Sequence, residues 1–430
     1  MKISALATQN SVKLLSGLAN NDDSLAAMVI KDWIGDGATV YTYKKNGGKD
    51  DAREKAIEEF GTGAIWLFAI PAIKKLIDFS VYPLFKLNSK FDPRLLDNKE
   101  NLKTISKIAQ GEEKTLFDNL NNFNPVLKKF TNAQMYKGFA IGKFVIATSI
   151  AAFALGKIIK YKQKTTSDRI KKENIAHKLP FNSKTIENAV NENKKFDKYI
   201  NNNQISFKGG LSEFMYNPIK NTMILDGVIT MTRLKEARKE ERLEVAFKEL
   251  CQIIFIYGLA KPIQLGFEKL GEIMKTPIKL DPKNLFANNL DDLIKKAKPS
   301  IQELKNSNNI IETLSKIDVK NPVMTLLQNE GLISLTKDKN ALSVIKPIDE
   351  KAIKNALDNF EDMAKNMGNL KQSKIFKTFA VVANILIAAG IMGVIQPKLT
   401  IFLRKVLYGT NENPAIAKEE KMYKNEIKLQ

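Results

Sequence analysis

Residues 34–60 and residues 224–250 are written to one pattern, 190 positions apart and without a gap. Nine of the 27 pairs are identical: Ile34/Ile224, Asp36/Asp226, Gly37/Gly227, Thr42/Thr232, Lys45/Lys235, Lys49/Lys239, Glu54/Glu244, Ala56/Ala246 and Glu59/Glu249. Unrelated sequence of this composition gives roughly two or three. Further landmarks recur in order. Pro71 and Pro262 stand 191 apart, and Phe91-Asp92-Pro93-Arg94 matches Leu280-Asp281-Pro282-Lys283 at 189. Glu113-Lys114 matches Glu350-Lys351 at 237, and Tyr136-Lys137-Gly138-Phe139-Ala140 matches Phe376-Lys377-Thr378-Phe379-Ala380 at 240. The jump from 189 to 237 places a 48-residue insertion in the second copy. A period this long is that of a whole duplicated unit, common in membrane proteins, rather than of a short solenoid repeat.

Both copies run on into apolar segments. Thr378–Ile395 is 18 residues without a charge, and Gly138–Gly156 is 19 residues whose one charge is Lys143. Runs of about 18 are the threshold for a membrane-spanning helix. Lys143 stands far enough from the middle of its helix to snorkel toward headgroups. Gly61–Ile73 and Leu250–Ala260 are shorter, 13 and 11 residues, with Pro71 inside the first and Pro262 just past the second. That length and that proline suit a broken or kinked helix at the membrane surface; a discontinuous helix lining a pathway is the alternative. The expected fold is therefore mainly α: an internally duplicated helical membrane protein with two to four apolar helices. A soluble protein with deeply buried helices is the competing expectation.

The pattern divides the chain into an N-terminal helical segment (1–33), a first copy (34–164), a polar connector (165–217), a second copy (218–408) and a charged tail (409–430). The insertion falls at about 283–349. Within it, Leu332–Thr336 and Ala341–Ile345 flank the polar run Lys337–Asn340, which predicts a small β-hairpin, a protruding arm or a loop ornament. Asp36-Gly37 and Asp226-Gly227 read as turn dipeptides opening each copy, and Gly47-Gly48 as a further turn.

The net charge of +21 points to an anionic partner, but only seven of the 68 basic residues are arginine. The planar arginine fork favours specific phosphate and base recognition, and aromatic–basic interleaving is missing, so nucleic acid ranks below anionic lipid. Lys157, Lys160, Lys162 and Lys164 follow the first long apolar helix, and Arg233, Arg238 and Arg242 cluster in the second copy. These seven are the candidate contacts to anionic lipid. Basic residues after both long apolar helices place those flanks in the cytoplasm, with the two copies parallel, in a bacterial-type cell membrane. A protein partner or a homo-oligomer is also expected.

Cys251 and His177 are single in the chain. Cys/His zinc sites, Ser-His-Asp triads and disulfides therefore have too few partners, and no cofactor, metal or enzymatic chemistry is expected. The charged stretches 45–59 and 235–249 read as solvated helices laced with ion pairs. The shared carboxylates Asp36, Glu54, Glu59, Asp226, Glu244 and Glu249 are the positions where a common role is expected. Function reduces to a membrane-associated structural or interaction protein, with a small transporter or channel, or a soluble nucleic-acid binder, as alternatives.

Overall fold

The computed structural model describes residues 2–19, 25–96, 99–121, 132–176 and 218–429, and it is mainly helical. Helix α1 (Lys2–Ala19) precedes α2 (Leu25–Asn46), and Gly47-Gly48 separates α2 from α3 (Lys49–Ala64). Gly48 takes φ 102, a conformation that glycine alone adopts without strain, so the expected turn is found there. From α3 the chain passes through a π turn (Ile65–Ala69) into α4 (Ile70–Leu84). Pro71 cannot donate a backbone hydrogen bond into the preceding turn, and a π turn widens the helix at the point where that bond is lost. Short helices α5 (Lys99–Ile108) and α6 (Glu112–Asn121) lead to α7 (Asn132–Ala176).

The second half opens on a similar order of helices. Helix α8 (Pro218–Glu236) is followed by α9 (Arg242–Ile253), a π turn (Ile254–Gly258) and α10 (Leu259–Ile273). Then come α11 (Pro282–Leu285), α12 (Leu290–Asn306), α13 (Ile310–Lys316) and α14 (Pro322–Asn329), strands β1 (Ser334–Leu335) and β2 (Leu342–Ser343), and α15 (Glu350–Lys365). The chain ends with α16 (Leu370–Gly390), a third π turn (Ile391–Ile395), α17 (Gln396–Tyr408) and α18 (Pro414–Leu429).

Three expectations are corrected here. Asp36-Gly37 and Asp226-Gly227 do not form turns; they lie inside α2 and α8, so the boundary drawn at residue 34 falls within a helix. Packing of those helices overrides the turn preference of the dipeptide. Gly61–Ile73 and Leu250–Ala260 are parts of continuous helical runs, each with a π turn, so of the broken or kinked helix expected the broken form is not found. The first long helix runs to Ala176, past the expected boundary at 164; the rest of the connector, with His177, lies outside the described residues.

The insertion is structural. Leu290, Ile294, Ala297, Ile301 and Leu304 on α12 recur at helical spacing and are buried with Leu314, Val323, Leu327 and Phe360. The same core takes Tyr82, Phe91, Phe117 and Tyr136 from the first half, and this cap is the largest hydrophobic cluster. The predicted hairpin is present but short, two residues per strand, paired Ser334↔Ser343 and Leu335↔Leu342. It is bound to α6, because Glu113 accepts from the Ser343 hydroxyl at 2.7 Å and the Val344 N–H at 3.0 Å.

Both long helices leave this cap in the same direction. At the start of α7 the Tyr136 hydroxyl accepts the Asn88 N–H at 2.7 Å; near the start of α16 the Lys377 ammonium donates to the Ile278 carbonyl at 2.7 Å. Farther along, α7 carries Lys162 to Glu58, and α17 carries Arg404 to Glu244 and Asp51. Each half gives its first helix to the other half's long helix. Leu225 and Ile229 of α8 pack with Ala147, Ala151 and Leu155 of α7. Gly35 and Ala38 of α2 meet the third π turn, where Gly393 leaves room: a Cβ there would stand 2.4 Å from that of Ala38. The Thr42 hydroxyl donates to the Gly393 carbonyl at 3.0 Å.

Gln134–Glu173 and Met367–Tyr408 are long and apolar enough to cross a membrane. Of their most apolar windows, 28% and 44% are buried. Ile146, Ile150 and Phe153 on α7, Val382 and Leu386 on α16, and Phe79 and Leu265 on α4 and α10 are exposed. Lys143 does not snorkel: its ammonium pairs with Asp78 of α4 at 2.7 Å and lies over the Tyr82 ring, so its charge is neutralised between two helices.

The ends of α4 and α10 close identically. Lys86 and Lys275 both take φ 54, and the next N–H returns to a carbonyl five residues back, Leu87 to Tyr82 at 3.0 Å and Thr276 to Gly271 at 2.8 Å. A side-chain-bearing residue in this left-handed cap costs about 1–2 kcal/mol, partly offset in a glycine variant by chain entropy. Lys86→Gly and Lys275→Gly are each expected to stabilise by about 0.5–1 kcal/mol. Thermal midpoints of the purified variants check this; lowered midpoints would contradict the left-handed closure.

Candidate functional site

The charged stretches read as solvated helices are the buried seam between the halves. On α3, Asp51, Glu54, Lys55, Glu58, Glu59 and Thr62 recur every three or four residues, and all are buried. Glu244, Lys248 and Glu249 do the same on α9. A stripe with that period faces one direction, and here each stripe faces opposite charge instead of water.

Arg233 of α8 is 3% exposed and stands at the centre. Its guanidinium pairs with Glu249, with Glu59 at 3.1 Å and with Glu58 at 3.3 Å, and donates to the Thr62 hydroxyl at 3.0 Å. Lys248 pairs with Glu59, and Lys162 of α7 pairs with Glu58. Positions 58 and 248, 190 apart, thus carry opposite charges on the two sides of one seam. Burial alone would raise the Glu58 carboxyl; Lys162, Lys248, Lys55 and Arg233 outweigh it and hold that carboxyl well below its ordinary value. Glu59 is lowered the same way: burial opposes ionisation, and Lys248 and Arg233 prevail.

A second cluster surrounds Arg404. Its Nε and Nη2 donate to the two Glu244 oxygens at 2.6 Å each, and it also pairs with Asp51. The guanidinium carbon lies 5.1 Å from the centre of the buried Tyr43 ring. A third group joins Arg238 to Glu54 at 2.7 Å and to Glu241 at 3.1 Å, where the Asn413 amide also donates.

Between α2, α3, α8 and α9 lies a cleft. Asp32, Asp36, Glu59, Thr62 and Gly63 line it from the first half, and Thr222, Asp226, Glu249, Gln252 and Ile253, each 190 positions on, line it from the second. Trp33 and Trp66 complete the walls and are the only tryptophans of the chain. Asp36, Glu59, Asp226 and Glu249, shared between the copies in sequence, therefore meet in one place. Glu54 and Glu244 lie in the neighbouring ion-pair groups.

The cleft carboxylates differ in their partners. Glu59 and Glu249 are paired to Arg233, whereas Asp226 accepts the Tyr257 hydroxyl. Burial, with Glu59 and Asp32 close by, raises the Asp36 carboxyl to about 9. Burial raises Asp226 to about 7, against the opposing Tyr257 hydrogen bond. Asp32 is raised to about 6 by burial and by Glu59.

Among the residues proposed to touch anionic lipid, Lys157, Lys160 and Lys164 are exposed. Lys160 pairs with Glu236 at 3.2 Å. Lys162 and Arg233 are buried in the seam, and Arg238 is committed to Glu54 and Glu241, so their charge is turned inward. Arg242 is half-buried, its Nε donating to the Ala237 carbonyl at 3.4 Å. Among the described residues no three His, Cys, Asp or Glu side chains converge as a metal site would need. Sequence reading passed over Asp32, Asp51, Glu58, Lys248, Tyr257 and Arg404. The three- and four-residue period of the charges was the available signal.

Removing one partner of a buried pair leaves its mate charged and dry, at a cost of about 3–5 kcal/mol. Arg233→Met is therefore expected to lower stability by that order, and Arg233→Met with Glu249→Leu to recover part of it. Unfolding in detergent measures both; a fully additive double variant would count against direct pairing. A second expectation concerns pH. A carboxyl raised to about 9 in the folded state stabilises fully below its unfolded value near 4, and loses that contribution as pH rises through 9. Asp36→Asn should thus raise the unfolding midpoint at pH 8 and leave it nearly unchanged at pH 3.5. A variant destabilised equally at both pH values would refute this.

The chain matches no protein-family model, no curated protein and no solved structure.

Proposed function

We propose that this chain is a membrane-embedded interaction scaffold built by tandem duplication, with its two copies parallel. The observation that carries the proposal is the belt of exposed apolar side chains around two long, codirectional helices. Water would penalise that belt at about 25 cal/mol per Å², whereas lipid tails accept it. The recurrence of helix order, π turns and left-handed lysine closures at near-constant spacing supports duplication. On this reading the cap lies on one side of the membrane. The ion-pair seam, with Lys157, Lys160 and Lys164 facing outward, lies toward the other, where anionic headgroups would meet them and the positive-inside rule places the cytoplasm.

A small carrier or channel is the second reading, and the π turns beside the cleft favour it. The seam weighs against a carrier that rocks one half on the other. Such a motion would separate Arg233 from Glu59, and Arg404 from Asp51, each a desolvated pair whose breaking costs about 3–5 kcal/mol. A rigid scaffold needs no such motion.

Alkaline carbonate washing of membranes from expressing cells tests the assignment. The chain is expected to remain in the pellet, and recovery in the supernatant would overturn the proposal. Ile150→Asp and Leu386→Asp sharpen it. A charge near the middle of a spanning helix costs about 2.5–3.5 kcal/mol, so both variants should lose membrane-inserted protein. On a water-facing surface they would be neutral.

A further inference from the structure

We propose that the cleft between the halves binds an organic dication, a compound with two ammonium groups joined by an alkyl spacer, and that Asp36 and Asp226 each receive one end. This inference stands beside the membrane reading and does not depend on it.

Not every carboxyl in the cleft has a cation hydrogen-bonded to it. Glu59 and Glu249 are neutralised by Arg233 and Lys248. Asp32, Asp36 and Asp226 also line the cleft, and among the described residues none has a cationic hydrogen-bond partner. Asp36 is 8% exposed, and among the described residues it has no hydrogen bond or ion pair; what it faces is the cleft and a smaller annex shared with Gln396. Gln396, 4% exposed, lines that annex beside Asp36.

The shape of the ligand follows from the arrangement of these groups. A compact divalent metal ion would need several carboxylates converging on one point, and among the described residues no such group of three exists. Asp36 and Asp226 occupy equivalent positions, 190 apart, on α2 and α8, so a ligand with two like ends suits two like receptors. The spacer has apolar company in Trp33, Trp66 and Ile229, and an indole face also attracts an ammonium group. Binding would keep ionised the carboxyls that burial raises toward their neutral form, so protons compete with the dication.

Both tryptophans line the cleft, so intrinsic fluorescence reports on its occupancy. The full chain in detergent would be titrated at pH 8 with 1,4-diaminobutane and 1,5-diaminopentane, and in parallel with 1-aminobutane, potassium chloride and magnesium chloride. The expected result is a saturable change with a diamine at roughly tenfold lower concentration than with the monoamine, and none with the salts. Asp36→Asn and Asp226→Asn should each weaken diamine binding roughly tenfold or more, and so should lowering the pH of the native chain to 5.5. No saturable change, an equal response to the monoamine, a response to magnesium alone, or full binding by both variants would each overturn the proposal. The ligand series on the native chain decides the matter even if a variant fails to fold. A negative result there, with the chain still resisting carbonate, would sink the dication site and leave the membrane assignment standing.

Discussion

Two arginines taken out of water hold this architecture together. Arg233 and Arg404 are almost wholly buried, and each is surrounded by carboxylates from both halves. A buried ion pair is not a strong source of net stability, because desolvation offsets most of the attraction. What it does enforce is registry. Shifting one half against the other would leave a charge dry and alone, a much larger penalty than misplacing an apolar contact. The seam therefore selects one mutual placement of the halves out of many that hydrophobic packing would tolerate.

That placement explains the cleft. Once Glu59 and Glu249 are drawn to Arg233 and Lys248, α2, α3, α8 and α9 are fixed around a space that none of their side chains fills. All three π turns lie beside it or its annex: Trp66 and Leu67 come from the first, Ile253 immediately precedes the second, and Met392 belongs to the third. A π turn bulges the backbone by one residue, and bulges of this kind are concentrated at functional sites. At the third, Gly393 also allows α2 to approach closely, so the same distortion that opens the annex seals the helix contact beside it.

Much of this was legible in the sequence, and the failures share a cause. Periodicity and apolar run length located α7 and α16, and β-prone flanks around Lys337–Asn340 located the hairpin. Of the six repeated carboxylates singled out, Asp36, Glu59, Asp226 and Glu249 line the cleft, while Glu54 and Glu244 lie in the ion-pair groups beside it. What failed was deciding what a charged face looks at. Asp51, Glu54, Lys55, Glu58 and Glu59 have the period of a helix face whether water or an opposing charge lies across from them. Only the partner, 174 to 189 residues away for Glu59, settles it. Lys143 was misjudged for the same reason, because Asp78 is brought to it by tertiary packing alone. Asp36-Gly37 shows the complementary error: a local turn preference worth about 1 kcal/mol yields to the contacts of a whole helix.

The two halves are also unlike where likeness would be fatal. Identical stripes facing one another would place carboxylate against carboxylate along the whole seam. The chain avoids this at a few positions: Glu58 answers to Lys248, Lys55 to Val245, and Tyr43 to Arg233, each pair 190 apart. Two of these substitutions, Lys248 and Arg233, supply cations that neutralise Glu58, Glu59 and Glu249. Asp36 and Asp226 remain alike, although burial pushes both carboxyls up. Asp36 is the more telling, since charge compensation, available one turn away in sequence and structure, was not extended to it. Asp36 faces the cleft with no hydrogen bond or ion pair among the described residues, and that is the ground for proposing a partner from outside the chain.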